Sequence, residues 1–424
     1  MRSVHVSVRR QSSSVVEFSG LESRTYMCVD HGSLGYTNPL SAPAGWAGTP
    51  SPAGTVSVPV LNSKPGAKAT LYLDFDGEAA TTWGSYNVTS TPAYTGSSSN
   101  IQEIFARVAE KFSSFDINVT TVNPGSFADK QAMRVVIGGD GAWTGISCGG
   151  LSYVGAFSNG APNTAYVFPV NLGAGYPKYV AEAICHESGH AFGLQHQSAY
   201  LITHSVNGDT STKTQEYSDN AGSPDVAPTM GNSYGSTRGT WWSGNNSAGD
   251  LQDDLSIIAG SANGFGFRAD DHGNTFATAR KETFSSTAHR FNVRGTIEKT
   301  SDNDRFSFNF PGGKLSLKVR VASFGATLDS TLRIYNANGV AVAKADTVNL
   351  GEQIIKNLPA GKYFAIVSSK GNAGDVGQYT LIATYSGTAA ASPTAAMATS
   401  TPTFSATPIA SGTVSYADLE AAIG

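Results

Sequence analysis

Residues Cys185–His196 read C-H-E-S-G-H-A-F-G-L-Q-H and hold three of the eight histidines in this chain of 424 residues. His186 and His190 are four residues apart, so they fall on one face of an α-helix, one turn above each other. Gly193 can adopt the left-handed conformation that ends a helix, and the chain can then bring His196 back to the same point. Three neutral imidazoles suit Zn²⁺ and leave its fourth position open, as in catalytic zinc sites.

Glu187 follows the first histidine, and its side chain points near the open position of the predicted zinc ion. A carboxylate placed there can accept a proton from a zinc-bound water, so we predict that Glu187 is the catalytic base. The alternative is a closed structural zinc site, which needs a fourth Cys or His nearby. Cys185 is adjacent, but one residue along a helix turns its side chain about 100° away from His186. The pattern therefore favours a catalytic zinc ion.

The string H-E-x-x-H-x-x-G-x-x-H resembles the zinc signature of the metzincin metalloproteases. That family also has a Met-turn, whose methionine lies beneath the zinc ion, and Met230 in Ala227–Tyr234 is the matching residue; an ordinary buried methionine is the alternative. In some metzincins a tyrosine two residues later contacts the zinc. Asn232 occupies that position here, so Tyr234 is our candidate for a contact with the metal or the oxyanion. The resemblance also implies that a strand within 151–168 holds the substrate backbone by strand addition.

The overall composition excludes several classes of protein. Charged residues make up 14% of the chain, its formal net charge is −4, and no basic patch in the sequence suggests nucleic acid as a partner. Its 47 glycines, with many Ser and Thr residues, are typical of β-rich extracellular proteins with few long helices. No apolar run approaches the roughly eighteen residues of a membrane span.

The chain has three cysteines, and an odd number leaves one over in an exported protein. Cys148 and Cys185 fall in the same predicted domain, where they either form a disulfide or remain two buried thiols. Some metzincin propeptides block the zinc ion with a cysteine, and Cys28 is the candidate for that role. The alternative is an unpaired thiol in a segment that is removed.

Composition and pattern divide the chain into four parts. They are a leader or pro-segment with linker at 1–66, a first domain at 67–265, a second domain at 268–386, and a flexible tail rich in Ala, Ser, Thr and Pro at 387–424. Leu21, Glu22 and Arg24 in the leader resemble the short L-E-x-R segment of planctomycete surface and exported proteins. We therefore expect a bacterial protein that is secreted or held at the cell surface.

The first domain carries helical and strand-like patterns in alternation. Residues 101–112 have apolar side chains at helical spacing, whereas strand-like runs occupy 69–75, 117–122, 133–137, 151–157 and 164–168. The order resembles the metzincin fold, and it implies an α/β (α+β) domain with a mixed twisted sheet and an active-site helix. Near its end, Asp250, Asp253 and Asp254 either bind Ca²⁺, or the last two cap a short helix.

The second domain consists of short runs with period-two alternation, separated by Asn-Gly and Pro-Ala-Gly turns. This pattern predicts an antiparallel β-sandwich. The segments 270–275 and 301–306, with the closing Gly361-Lys-Tyr, resemble the bacterial pre-peptidase C-terminal domain. The resemblance implies an accessory module that binds extracellular matrix, glycan or cell envelope. Asp302 and Asp304 are either calcium ligands or solvated turn carboxylates.

The leading functional hypothesis is a secreted or surface zinc endopeptidase that acts as a monomer on protein or peptide substrates. The second hypothesis is a surface adhesion or matrix-binding protein with a vestigial zinc site. Intact ligands and an intact Glu187 argue against the second, because a decayed site tends to lose one of them. A zinc hydrolase that does not cut peptides is a third alternative, although it would not need an adjoining edge strand.

Overall fold

The structure is a computed structural model that describes residues 26–28, 41, 43–44, 46, 57–206, 208–220, 225–386 and 414–415. The leader motif at Leu21, Glu22 and Arg24 lies outside the described residues, as does most of the predicted tail. No helix in the described ranges is both long enough and apolar enough to cross a membrane.

The described elements before residue 268 belong to the first domain and its flanks. In chain order they are β1 (Tyr26–Cys28), β2 (Leu61–Asn62), β3 (Ala69–Asp74), β4 (Thr81–Trp83), β5 (Tyr86–Val88), α1 (Ser98–Lys111), β6 (Ile117–Thr120), β7 (Ala132–Ile137), β8 (Gly150–Tyr153), β9 (Thr164–Val167), α2 (Pro177–Ala191), β10 (Ala199–Thr203), β11 (Thr210–Gln215), β12 (Val226–Pro228), β13 (Arg238–Thr240), β14 (Ser243–Asn245), β15 (Leu251–Asp253) and α3 (Asp254–Ile258). Short 3₁₀ turns lie at Ala142–Thr144 and Pro169–Asn171.

The described elements of the second domain are all strands. They are β16 (Arg280–Glu282), β17 (Arg290–Ile297), β18 (Asn303–Phe310), β19 (Gly313–Val321), β20 (Ser330–Asn336), β21 (Ala341–Ala345), β22 (Gln353–Leu358), β23 (Gly361–Ser369) and β24 (Gly377–Ser386), with β25 (Val414–Ser415) beyond them. One sheet has the order β16-β18-β23-β20-β21 and the other β17-β24-β19-β22. Leu317, Leu332 and Val367 belong to the single apolar core that the two sheets share.

The central sheet of the first domain has the order β1-β8-β9-β7-β3-β6-β2-β25. Strands β6, β3, β7 and β9 are parallel neighbours, while β8 runs antiparallel to β9. Strand β1 pairs antiparallel with the outer side of β8, where Tyr26 lies opposite Tyr153 and Cys28 opposite Leu151. The edge that was expected to hold a substrate backbone is therefore paired with the chain's own N-terminal segment.

Helices α1 and α2 pack against each other and against this sheet. The side chain of Ser97 caps α1, and Ile101, Ile104 and Phe105 are fully buried, as the helical spacing of apolar residues predicted. Helix α2 begins with a proline in its first turn and ends at Ala191. Gly193 follows with φ of +101°, so the predicted break after the second histidine is confirmed.

The predicted fold class is wrong. The sequence led us to expect an α/β (α+β) metzincin-like domain plus an all-β sandwich. Of the described residues, however, 39% are in strands and 12% in helices, and no helix-packed core of the expected kind is present among them. The pairs β10-β11, β12-β13 and β14-β15 form separate two-stranded sheets after α2. A chain rich in Gly, Ser and Thr favours short strands and turns over helices, and that tendency prevails here.

Side chains of the two domains form hydrogen bonds with each other near the C-terminal end of α1. The carboxylate of Glu110, in the last turn of α1, accepts hydrogen bonds from the backbone N–H and the side-chain amide of Gln378. Arg238 donates to the carbonyl of Thr327 at 2.8 Å and to Asp375 at 3.0 Å. These buried polar contacts connect the helix layer of the first domain to the β-strands of the second.

Candidate metal centre

His186, His190 and His196 lie together in the interior of the first domain. Their ring centroids are 4.7 Å apart for His186 and His190, 5.3 Å for His186 and His196, and 4.9 Å for His190 and His196. One ligand nitrogen from each ring lies within 4.8 Å of the others, and all three residues are buried. The helix therefore presents two imidazoles, and the turn at Gly193 returns the third, as the spacing predicted.

The Nδ1 atom of each histidine has a hydrogen-bond acceptor outside the group. His186 Nδ1 lies 2.9 Å from the carbonyl oxygen of Thr229, and His190 Nδ1 lies 2.7 Å from that of Leu194. His196 Nδ1 lies 2.9 Å from the Oε1 atom of Glu216. We assign the proton of each ring to Nδ1, because only an N–H can donate to these oxygens. Each Nε2 atom then carries the lone pair that a metal ion needs.

Burial keeps the imidazoles of His190 and His196 neutral. It lowers the pKa of His190 far below its usual value, with a further contribution from His196. The pKa of His196 is also lowered, chiefly by burial. Among the described residues, the Nε2 atoms of His190 and His196 are buried without a hydrogen-bond partner. Buried lone pairs without a donor are costly in a protein interior, and a bound cation would satisfy them.

Met230 lies directly beneath α2. A β-carbon placed on Gly189 would come within 2.4 Å of the Met230 sulfur, so glycine at this helix position leaves room for that side chain. Met230 is fully buried, and its carbonyl oxygen accepts a hydrogen bond from Gln197 N–H, next to the third histidine. The turn that carries Met230 also supplies Thr229, whose carbonyl holds His186. Met230 thus packs against α2 at Gly189, and its role in a Met-turn stays a prediction.

Glu187 is fully buried, and within the described structure neither of its carboxylate oxygens has a hydrogen-bond partner. Burial raises its pKa well above the usual value, with a further contribution from Cys148. Space for the carboxylate exists because residue 150 is glycine. A β-carbon at Gly150 would lie 2.6 Å from Glu187 Cγ and 2.8 Å from the carbonyl oxygen of Tyr166. The glutamate therefore lies between α2 and β8, beside the paired edge of the sheet.

The structure adds two residues that sequence reasoning missed. Glu216 accepts the Nδ1 proton of His196, and the hydrogen bonds from His196 and Lys213 lower its pKa to about 2. The ring of Tyr217 lies 4.3 Å from that of His196, centroid to centroid. Glu216 lies 20 positions after His196, across a loop and a hairpin, and no spacing rule connects them. In the sequence, the only indication of these two residues was an acidic residue next to an aromatic residue in a polar segment.

Tyr234 lies beside the first turn of α2. Its ring packs edge-on against Tyr179, with the centroids 5.6 Å apart, and its carbonyl accepts a hydrogen bond from Lys178. The ring of Tyr217 packs against those of His186 and His196, tilted by 40° and 46° to them. A contact of Tyr234 with a metal or an oxyanion stays a prediction.

If the three histidines bind a metal ion, replacing Glu216 by Ala should weaken that binding on the order of 10- to 100-fold, because His196 loses the acceptor that orients its ring. We expect the variant to fold, since the Glu216 side chain is about one-third exposed. Zinc affinity measured by competition with a chromophoric chelator checks this prediction. Glu103→Ala, which removes a carboxylate from α1 far along the chain, is the control. Equal zinc affinities in the Glu216 variant and the parent would contradict the orienting role.

Cys148 and Cys185 are both free thiols, and both are buried. Of the two alternatives left open by the sequence, the structure therefore has two buried thiols. Burial raises the pKa of Cys185 far above its usual value, so this thiol stays protonated. The side chain of Cys28 lies outside the described residues, and its inhibitory role stays a prediction.

Asp250, Asp253 and Asp254 do not converge on one point. Asp253 caps α3 and accepts the N–H of Ser256. Asp254 is buried and accepts hydrogen bonds from Gln197, Gln252 and the N–H of Trp242. Asp250 is exposed. The helix-capping alternative therefore applies to Asp253. Asp254 instead accepts hydrogen bonds from residues that follow the third histidine in the chain.

A separate acidic group includes the two turn carboxylates of the second domain. Asp302 and Asp304 are buried rather than solvated, so that alternative is wrong for them. One oxygen from each of Asp270, Glu298 and Asp302 lies within 4.8 Å of the others, and Asp270, Asp271 and Asp304 form a second such set. Calcium at Asp302 and Asp304 stays a prediction.

Burial first, and then the neighbouring carboxylates, raise the pKa of Glu298 to about 10 and that of Asp304 to about 9. A raised carboxyl pKa means that the folded state binds protons more tightly than the unfolded state does. These groups therefore do not destabilise the folded protein below about pH 4, and the protein loses stability as the pH rises above that value. Glu298→Gln should therefore raise the melting temperature at pH 8.5 by several degrees and change it less at pH 5.5, at about 2–4 °C per kcal/mol. Thermal melts in buffer without added divalent cations check this, and an equal shift at both pH values would contradict it.

Comparisons with known proteins provide little information about the function of this chain. No known family profile and no curated protein matches the chain. Among the solved structures that match, three weak matches each share 16% identity with this chain. The pre-peptidase C-terminal domain of a Bacillus anthracis collagenase has a TM-score of 0.21, covering 24% of this chain and 93% of that domain. The periplasmic inhibitors of g-type lysozyme from Aeromonas hydrophila and Salmonella Typhimurium have TM-scores of 0.20 and 0.19, each covering 26% of this chain and 99% and 100% of the inhibitor. Likeness at this level carries no argument about function.

Proposed function

We propose that this protein is a secreted zinc endopeptidase, with His186, His190 and His196 as the zinc ligands and Glu187 as the general base. The observation that carries the proposal is the buried group of three imidazoles, each fixed through Nδ1 and each left with Nε2 for a metal. The donor set fits a zinc ion with an open fourth position. The ligands and glutamate follow the metzincin signature, and we propose the relationship to that family on this signature alone.

Zn²⁺ bound at this site would lower the pKa of its water and polarise the scissile carbonyl. Glu187 accepts the proton of that water and passes it to the leaving amine. Its buried position between α2 and β8 keeps other proton donors away from the carboxylate. Once the segment Tyr26–Cys28 is displaced from β8, the backbone of that strand would offer hydrogen bonds that align an extended peptide beside Glu187.

The proposal is tested with the full chain by measuring metal content and cleavage of a mixed peptide pool. We expect one zinc ion per chain, peptide cleavage at defined bonds, loss of cleavage after chelation and recovery on adding Zn²⁺. The proposal would be contradicted if the zinc-loaded protein cut no peptide, both before and after limited proteolysis of its N-terminal segment. That outcome would favour the adhesion protein with a vestigial zinc site.

A further inference from the structure

The outer face of the sheet β17-β24-β19-β22 is strongly basic. Residues that lie opposite each other on neighbouring strands project to the same side, so the sheet register defines rows of side chains. One row holds Arg294, Thr380 and Arg320. The next row holds Asn292, Ile382 and Lys318. Further outward cations come from the ends of β17 and β19, and the complete set, called the basic face below, is Arg290, Arg294, Lys314, Lys318 and Arg320.

No negative charge offsets these cations within the sheet. The four strands, which span 290–297, 313–321, 353–358 and 377–386, contain no Asp or Glu. All five cations of the basic face are exposed, and none forms a salt bridge with a described residue. The whole chain has a net charge of −4, so this concentration of positive charge is local and does not follow from the composition.

A purely structural origin for the basic face is not sufficient. Lysines on edge strands protect a sheet from pairing with other chains. Lys314, Lys318 and Arg320, however, lie on β19, which has β24 on one side and β22 on the other. Like charges in neighbouring rows repel each other and cost stability, so their retention on a central strand points to a function.

One end of the basic face opens into a cavity of about 470 Å³ at the junction with the first domain. Arg294 and Arg320 line it from the sheet, Lys64 lines it from the flank of the first domain, and Arg268 lines it from the start of the second domain. Two carboxylates also line the cavity; one belongs to Asp116, which already pairs with Lys64, and the other to Asp271. Four cations against two anions leave the cavity positive, and low-dielectric walls strengthen their field.

We infer that the basic face binds an anionic polysaccharide, with one acidic sugar residue held in the cavity. The carboxylate or sulfate groups of such a polymer complement the five cations. The remaining outward side chains are mostly hydroxyl and amide groups, which hydrogen-bond sugar hydroxyls; they are Asn292, Ser316, Gln353, Asn357, Thr380 and Thr384. No aromatic ring lies at an outward position of this face to stack on a nucleic-acid base, so we favour a polysaccharide over nucleic acid.

The test measures binding of the full chain to polygalacturonate, to dextran sulfate, to neutral dextran and to duplex DNA at several salt concentrations. The triple variant Arg294→Gln, Lys318→Gln and Arg320→Gln removes the centre of the basic face. A matched control with the same net charge carries Lys281→Gln, Lys344→Gln and Lys362→Gln, three exposed lysines on the opposite sheet. Thermal melts establish that both variants fold.

We expect binding to polygalacturonate or dextran sulfate that weakens with salt, and no binding to neutral dextran. The triple variant should bind on the order of tenfold more weakly and with a smaller salt dependence, whereas the control should bind like the parent. Equal losses in both triple variants, tighter binding to DNA than to either polysaccharide, or no binding at all would overturn the inference. Because binding is measured without turnover, a failed protease proposal leaves this result interpretable.

Discussion

Glu187→Gln should lower peptide cleavage by about 10³-fold while zinc content stays at one ion per chain. The amide keeps the size of the side chain but cannot accept the proton of a metal-bound water. Glu187 does not contribute an atom to the histidine group, so the ligands remain in place. Cleavage rates on one fluorogenic peptide, together with zinc analysis of the same samples, measure both parts of the prediction.

A matched control separates chemistry from damage to the fold. Glu103→Gln changes a carboxylate on α1 that pairs with Arg107, and we expect it to retain both zinc and activity. Full activity in zinc-loaded Glu187→Gln would remove Glu187 from the mechanism. Loss of zinc in that variant would instead show that the glutamate holds the ligands, and the role of general base would then be wrong.

Lys111→Met should destabilise the first domain by about 3–5 kcal/mol, because it leaves the carboxylate of Glu182 buried without its cation. The two side chains are only 3% and 8% exposed, and the Lys111 ammonium lies 3.3 Å from the carboxylate. Burial alone would raise the pKa of Glu182, but Lys111 and Ser233 hold it below its usual value. At about 2–4 °C per kcal/mol, the melting temperature should fall by roughly 6–20 °C.

The buried pair also reaches the histidine group through the backbone. Lys111 donates to the Thr229 hydroxyl at 3.0 Å, and the carbonyl of the same threonine holds His186. We therefore expect Lys111→Met to weaken zinc binding as well as folding. The double variant Lys111→Met, Glu182→Gln should be less destabilised than the sum of its single variants, because neither buried charge remains. Additive losses in chemical denaturation would show that the pair is not coupled.

The sequence was most informative where function requires a short local pattern. The positions of His186, His190 and His196 follow from helical spacing and one glycine, and the structure brings them together. Glu216 could not be found in this way, because the hairpin of β10 and β11 brings it back to His196 and no local spacing connects the two residues. The fold class was wrong for a related reason. Period and spacing identify single elements, but the balance between short strands and helices depends on how the whole chain packs.

The basic face could not be predicted from the sequence either. Its cations occupy alternate positions of β17 and β19, and those strands become neighbours of β24 only through long-range pairing. Along the sequence these residues alternate with apolar residues whose side chains point into the core. A net charge of −4 then suggests no cationic surface. Strand register, which sequence patterns leave undetermined, is the missing information.

The pairing of β1 with β8 has a consequence for the timing of activity. A sheet edge accepts one strand at a time, so an incoming peptide and the segment Tyr26–Cys28 compete for the same backbone groups. Freshly made chains should consequently be latent, and cleavage should begin after a lag that shortens once the early residues are cut away. For the secreted peptidase proposed above, this pairing would protect the producing cell from cleavage until the protein is released.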